Sequence, residues 1–432
     1  MAPVLCRVCE DPRFRYILNL CSAQLALCSC ALKQSKRQVR LPECCRQREE
    51  CMESILQTLA VAVVAFAVTY AMVPVSKAIA MRIGAIDYPS NRRVNTKPIP
   101  RCGGIALYVG FMAGVATIGV GTHLLGWHIL DFYNLTSLNM PLLFLGITLM
   151  FAVGLADDMF QLPAWPKFAL QIVAAAVVAF AGITIGSVRL WGSGFTSLGL
   201  LNIPLTVVYL VIFVNITNLI DGLDGLAAGI VAISCFAFAL MVLARGSITL
   251  VMVCAALAAA CLAFLRFNFN PASVFMGDSG ALFLGLMVGI ISLAGVVRMQ
   301  SAVVMLVPLV VAGVPVIDTA AAILRRKHEH KPVGAPDMNH VHHQLLKSGL
   351  SQRSTVLVLY LVSALMAGVA LLLSSLSGTA RIVLTVALIV GGMFLIWFLG
   401  IAAPILRHHY ENKGKSGPRQ PHAPAEYQKK IK

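Results

Sequence analysis

The sequence predicts an all-α, polytopic integral membrane protein of about eleven transmembrane helices, with the N-terminus outside and the C-terminus cytoplasmic. Three observations carry this expectation. Hydrophobic residues fill 58% of the 432 positions and charged residues only 12%, about half of the roughly 25% usual in soluble domains. Apolar runs of about 20 residues, long enough to cross a bilayer as helices, recur along the chain. Basic residues fall unequally on alternate loops, as they do when one side faces the cytoplasm. This composition excludes a disordered chain, a disulfide scaffold and an ordinary soluble enzyme. The net charge of +16 fits basic loops beside anionic lipid better than a nucleic-acid surface.

The apolar segments run at 55–75, 103–122, 140–157, 168–187, 201–219, 226–244, 247–265, 280–297, 301–323, 355–375 and 382–404. Helices are expected because they satisfy their own backbone hydrogen bonds in lipid. The alternating segments of about ten residues that mark a transmembrane barrel are missing. After Met52, alternate loops and the tail hold 21 basic residues on one side. The other side holds four: Arg189, Arg245, Arg298 and Arg381. Three regions follow: a Cys-rich extension at 1–51, a multi-pass unit at 52–405, and a basic tail at 406–432 expected to be disordered.

Residues 1–51 break the charge rule. They carry nine basic residues and eight of the twelve cysteines on the side expected to be outside. An upstream over-extension with Met52 as the start would explain this, as would a weak twelfth span at 16–32. Zinc held by Cys6, Cys9, Cys44 and Cys45 fits ligand spacing poorly. Cys102, Cys235, Cys254 and Cys261 are scattered and read as packing residues.

Charges inside apolar spans cost roughly 2.5–3.5 kcal/mol on insertion scales, so they mark candidate sites. Asp157, Asp158, Asp221, Asp224 and Asp278 all fall at span ends on the expected cytoplasmic side. A single acid there could be an ordinary helix-end residue. Five converging carboxylates would repel one another unless cations neutralise them. Asn215, Asn218, Asp221 and Asp224 step by three, which keeps them near one face of a helix. Their oxygens suit a hard cation such as Mg²⁺, with Mn²⁺ as the alternative. A polar stripe packed against a neighbouring helix is the competing explanation. The Gly277-Asp278-Ser279-Gly280 turn falls on the same side.

Lys167, nine residues past Asp158, could serve as a point charge for phosphate or simply snorkel to the interface. His340, His342 and His343 share a basic loop with Arg325 and Arg326. Without Cys or acid partners at ligand spacing, the cluster suits an anion better than zinc. Asp318 lies inside a span, and spacing alone does not say whether it is catalytic or paired with a basic residue.

Together these segments resemble the polyprenyl-phosphate N-acetylhexosamine-1-phosphate transferase superfamily. The matching stretches are Arg92-Arg93 with Pro100-Arg101-x-Gly103-Gly104, Gly154 to Asp158, Asn215 to Gly225, Asn270 to Asp278, and Pro336-Asp337-x-x-His340-x-His342-His343. They occur in the family's order and span residues 52–405. The His loop resembles the undecaprenyl-phosphate GlcNAc-1-phosphate branch more than the phospho-MurNAc-pentapeptide branch.

The resemblance implies a Mg²⁺-dependent enzyme of the bacterial plasma membrane. Its substrates would be UDP-GlcNAc and undecaprenyl phosphate, UMP would leave, and a cell-envelope glycan such as teichoic acid or lipopolysaccharide would begin there. Membrane lipid is the expected surrounding, nucleic acid is not a partner, and a homodimer is left open. It places the metal on Asp278 and Asn218. Asp157, Asp158, Asp221 and Asp224 would be catalytic. Lys167, Asn215, Arg325, Arg326, His340, His342 and His343 would bind substrate. One departure stands out: where the family reads Arg-Lys-x-His, this chain has Arg92-Arg93-Val94-Asn95. Asn95 cannot carry a proton at neutral pH. An ion-coupled transporter would place its acids near the midplane and show repeats, and neither is seen. A CDP-alcohol phosphatidyltransferase would need a DG-x-x-AR motif, which Asp221-Gly222-Leu223-Asp224 does not continue.

Overall fold

A computed structural model describes residues 43–88, 98–127, 138–189, 195–244, 246–295, 324, 326, 327, 350–376 and 378–397. Ten helices are found among them. These are α1 (Glu43–Ile83), α2 (Gly104–Leu124), α3 (Met140–Phe160), α4 (Ala164–Phe180) and α5 (Asn202–Ile220). There follow α6 (Leu226–Leu243), α7 (Ile248–Asn268), α8 (Gly277–Gly295), α9 (Gln352–Ser375) and α10 (Gly378–Trp397). Eight stretches among the described residues are long and apolar enough to cross a membrane. A helix of 21 residues such as α2 rises about 31 Å, the thickness of a bilayer core. The chain is thus a mostly helical, multi-pass membrane protein. Each expected span coincides with a helix except 301–323, which lies outside the described residues, as do 1–42 and the tail beyond 397.

Two spans differ from expectation in their boundaries: α1 runs Glu43–Ile83, well beyond 55–75 at both ends, and the fourth ends early. The sequence predicts the fourth span over 168–187, but α4 begins at Ala164 and ends at Phe180. Gly182 and Gly186 then adopt positive φ values of 103° and 80°, which a right-handed helix cannot accommodate. The chain turns into a hairpin instead: β3 (Ser187–Arg189) pairs antiparallel with β4 (Phe195–Ser197). A second short ladder joins β1 (Ile86–Asp87) to β2 (Ile99–Pro100) and closes the base of the loop between α1 and α2. It delivers Arg101, whose backbone N–H donates to the Ala85 carbonyl at 3.0 Å.

Helix α8 is the axis of the bundle. Of its residues only Asp278 is not buried. It packs on α3 and α5, and also on α2 and α6. Small residues permit this closeness, as is common between membrane helices. A Cβ on Gly104 would run into the backbone of Ser279 and Gly280, and one on Gly154 would run into Asp278 and Ser279. Helices α1, α4 and α9 lie outside and turn large apolar residues outward, among them Leu56, Phe66, Val173 and Leu361. Cys102, Cys235, Cys254 and Cys261 are free and buried. Burial, reinforced by nearby Asp158 and opposed by Arg101, pushes the Cys102 thiol up to about 12, so it packs as an inert, uncharged group.

Candidate active site

The site starts from a helix end. An α-helix leaves its first backbone N–H groups unpaired, and an acceptor placed there stabilises it. For α8 that acceptor comes from another helix. The Asp158 carboxylate accepts from the N–H of Asp278 at 2.8 Å and of Ser279 at 3.0 Å, and from the Ser279 hydroxyl at 2.6 Å. Its side chain is fully shielded from solvent, and the Arg101 guanidinium stands 3.7 Å away. Gly277, just before, holds φ at +70°. A side chain there would collide with the Asp158 carboxylate and the Arg101 carbonyl.

Asp157 is adjacent in sequence but faces elsewhere. Successive helical residues differ by about 100° around the axis. One of its oxygens accepts from the Leu162 N–H at 2.8 Å, which fixes the tight turn into α4. The other faces the Lys167 ammonium at 3.1 Å. Lys167, in the first turn of α4, also pairs directly with the Asp278 carboxylate. Asn218, in the last turn of α5, donates to the other Asp278 oxygen at 3.0 Å. Asp278 thus meets side chains from α4 and α5 while its own N–H is held by α3. Four helix ends converge on one end of the bundle.

Asp221 caps the C-terminus of α5. Desolvation first, then the carboxylates of Asp278 and Asp158, hold its carboxyl well above the usual range, against the pull of Arg101. Asp224 accepts from the Asn270 side chain and from the Ala272 N–H, both at 3.0 Å. Asn215 lies one turn deeper on α5. It donates to Gln171 Oε1 at 2.9 Å and to the Val211 carbonyl at 2.8 Å, tying α5 to α4.

The structure therefore brings together Asp157, Asp158, Lys167, Asn218, Asp221 and Asp278. Asp224 stands at the edge, in the turn between α5 and α6 and bonded to the loop before α8, and Asn215 is engaged between helices. Arg326 is half-buried. Arg325, His340, His342 and His343 lie outside the described residues, as do Asn95 and Asp318. Several participants carried little signal. Ser279 was part of the turn motif but had no assigned role. Gln171, Gln352 and Arg353 are ordinary polar residues on helices, and nothing local to them announces a partner.

The donor set decides what this end of the bundle can hold. The side chains are carboxylates and an amide, the hard oxygens that Mg²⁺ prefers, with no thiolate among them. Among the described residues no three His, Cys, Asp or Glu side chains form a complete ligand cage. Mg²⁺ is commonly held by one or two carboxylates plus substrate phosphates and water, so the set fits a substrate-bridging ion. Lys167 and Arg101 supply fixed positive charge beside it.

The fold and this cluster define a multi-pass membrane protein with a site of carboxylates, an amide and cations where four helices end. Comparison with known proteins agrees. Residues 140–296 match the model of glycosyl transferase family 4. A probable undecaprenyl-phosphate N-acetylglucosaminyl 1-phosphate transferase of Bacillus subtilis is 37% identical over 325 residues, covering 75% of this chain and 87% of that protein. A decaprenyl-phosphate N-acetylglucosaminephosphotransferase of Mycolicibacterium smegmatis is 34% identical over 377 residues, covering 82% and 89%. An undecaprenyl-phosphate alpha-N-acetylglucosaminyl 1-phosphate transferase of Salmonella typhi is 27% identical, covering 73% and 83%. The chain belongs to the polyprenyl-phosphate N-acetylhexosamine-1-phosphate transferase superfamily.

Proposed function

We propose that the protein transfers N-acetylglucosamine-1-phosphate from UDP-GlcNAc to undecaprenyl phosphate at the cytoplasmic face of a bacterial plasma membrane. This would start a cell-envelope glycan. A phosphate oxygen of the lipid attacks the β-phosphorus of the nucleotide sugar, a new P–O bond forms, the bond to the α-phosphate oxygen breaks, and UMP leaves. The observation that carries the reading is Lys167 held between Asp157 and Asp278 at a membrane-embedded helix junction. The names of the relatives supply the sugar and the lipid class.

Asp278 and Asn218 would hold Mg²⁺, which when bound would neutralise charge on the diphosphate. Lys167 binds phosphate oxygens and stabilises the charge that grows on them. Asp158 acts through α8: it fixes the helix start that carries Asp278. Asp157 sets the angle of Lys167. A phosphate monoester's second pKa is about 6, so the lipid nucleophile is already largely ionised at neutral pH. The main demand on the protein is therefore charge placement rather than proton removal.

The test is UMP release by purified protein in detergent with UDP-GlcNAc, undecaprenyl phosphate and Mg²⁺, with and without EDTA. Lipid-dependent release that EDTA abolishes is expected. UMP formed without lipid, or release indifferent to EDTA, overturns the reading.

A further inference from the structure

The loop between α7 and α8, residues 269–276, ends at Asp278 and is tied down from several directions. Asn268 spans it, donating to the Val274 carbonyl at 2.9 Å and accepting from the Gly225 N–H at 3.0 Å. Its far end pairs with the α2 entrance through Phe275 N–H to the Pro100 carbonyl at 2.8 Å and Gly104 N–H to the Met276 carbonyl at 2.8 Å. Its near end meets a helix from a distant part of the chain. Asn270 donates to Gln352 Oε1 at 2.7 Å, and the Asn270 carbonyl accepts from Arg353 Nε at 2.8 Å. The same Asn270 amide reaches Asp224. Gln352 and Arg353 both sit in the first turn of α9.

We propose that Gln352 and Arg353 are positioning residues for Asp278, acting through Asn270; the inference rests on the proposed function. Helix stability does not account for Arg353. A cation at a helix N-terminus opposes the helix dipole by about 0.3–1 kcal/mol, while Ser351 already caps that end. What Arg353 gains there is the loop carbonyl. Helix α9 also grips the neighbouring turn, since the Tyr360 hydroxyl donates to the Gly225 carbonyl at 2.6 Å. The N-terminal half of α9 therefore clamps both the 221–225 turn, which carries Asp221 and Asp224, and the 269–276 loop that leads to Asp278. Asp224, with its carboxylate occupied by that loop, belongs to the clamp and not to the reacting centre.

Arg353→Ala, Arg353→Lys and Gln352→Ala test this in the full-length protein, with Leu361→Ala on the exposed face of α9 as the control. Displacing a charged group by an ångström or less is expected to lower kcat about tenfold in Arg353→Ala, with the nucleotide-sugar KM within about twofold of wild type. Arg353→Lys, which retains an N–H donor, recovers most of that loss. Hydrogen exchange measured by mass spectrometry is expected to quicken in 269–276 in Arg353→Ala and to stay unchanged in α6 and α7. A raised KM at unchanged kcat makes Arg353 a substrate contact and overturns the proposal. Unaltered exchange in 269–276 overturns it as well. The exchange measurement needs no turnover, so it decides the clamp even if wild-type protein releases no UMP, an outcome that would instead sink the proposed reaction. Gln352→Ala, which removes the acceptor for the Asn270 amide, is expected to lower kcat and quicken exchange in 269–276 in the same direction as Arg353→Ala but by less; wild-type behaviour in both readouts overturns the role given to Gln352.

Discussion

Asp158 accepts the backbone N–H of Asp278 at 2.8 Å, so one aspartate of the cluster sets the position of another. The relationship divides the acids by task. Asp158 is sealed from solvent and saturated with donors, while Asp278 turns its carboxylate toward Lys167 and Asn218.

Asp158→Asn places an amide where the N–H groups of Asp278 and Ser279 need an acceptor. A loss of about 3 kcal/mol of stability is expected, since it unpairs buried donors. UMP release should fall with it because the start of α8 shifts. Ser279→Ala removes one of three hydrogen bonds and should cost about 1 kcal/mol, with activity kept within a few-fold. Melting in detergent and initial rates measure both, and equal losses in the two variants would count against the capping role.

Asp278→Asn should lower kcat about 10³-fold, whereas Asp157→Asn should lower it only about tenfold at saturating Mg²⁺. Asp278 faces both Lys167 and Asn218, while Asp157 acts by aiming Lys167. Matching rates for the two variants would refute the division. Lys167→Ala should resemble the more severe of them.

Asp221 supplies a pH test. Its carboxyl is held above the usual range chiefly by desolvation, so the folded state binds the proton more tightly than the unfolded chain does. Stability from this group is full below the unfolded pKa and declines as pH rises through the folded pKa. Asp221→Asn removes the penalty. Its melting temperature in EDTA should exceed wild type by more at pH 8 than at pH 5. A gain that is constant across that range would show that Asp221 is not the group responsible.

Gly154→Ala tests the spacing of α3 and α8. A Cβ there would lie 2.6 Å from the backbone of Ser279, which cannot yield without moving the helix. A cost of about 2 kcal/mol is expected, with lower UMP release as Asp278 moves from Lys167. Gly119→Ala, where nothing lies within 4 Å, should be close to neutral. Thermal melting of the pair decides it.

Much of the fold was legible in the chain itself. Hydropathy is a local property, and a lipid-crossing helix must be apolar throughout its length, so α1 through α3 and α5 through α10 fall on their apolar runs. The short break at Gly182 and Gly186 was harder to read because apolar residues continue past it. The acids were also legible as a group, since each interrupts an apolar run at the same end of the bundle. Their separate tasks were not. Asp157 and Asp158 are chemically identical neighbours, and only the packing of α3 against α8 points one at helix N–H groups and the other at Lys167. Likewise nothing near Arg353 in sequence indicates Asn270, 83 positions away. Composition and periodicity determined a membrane bundle with acids gathered at one face. The tertiary structure decided which acid is anchored, which is presented and what holds it there, because those depend on the direction of side chains across helices far apart in the chain.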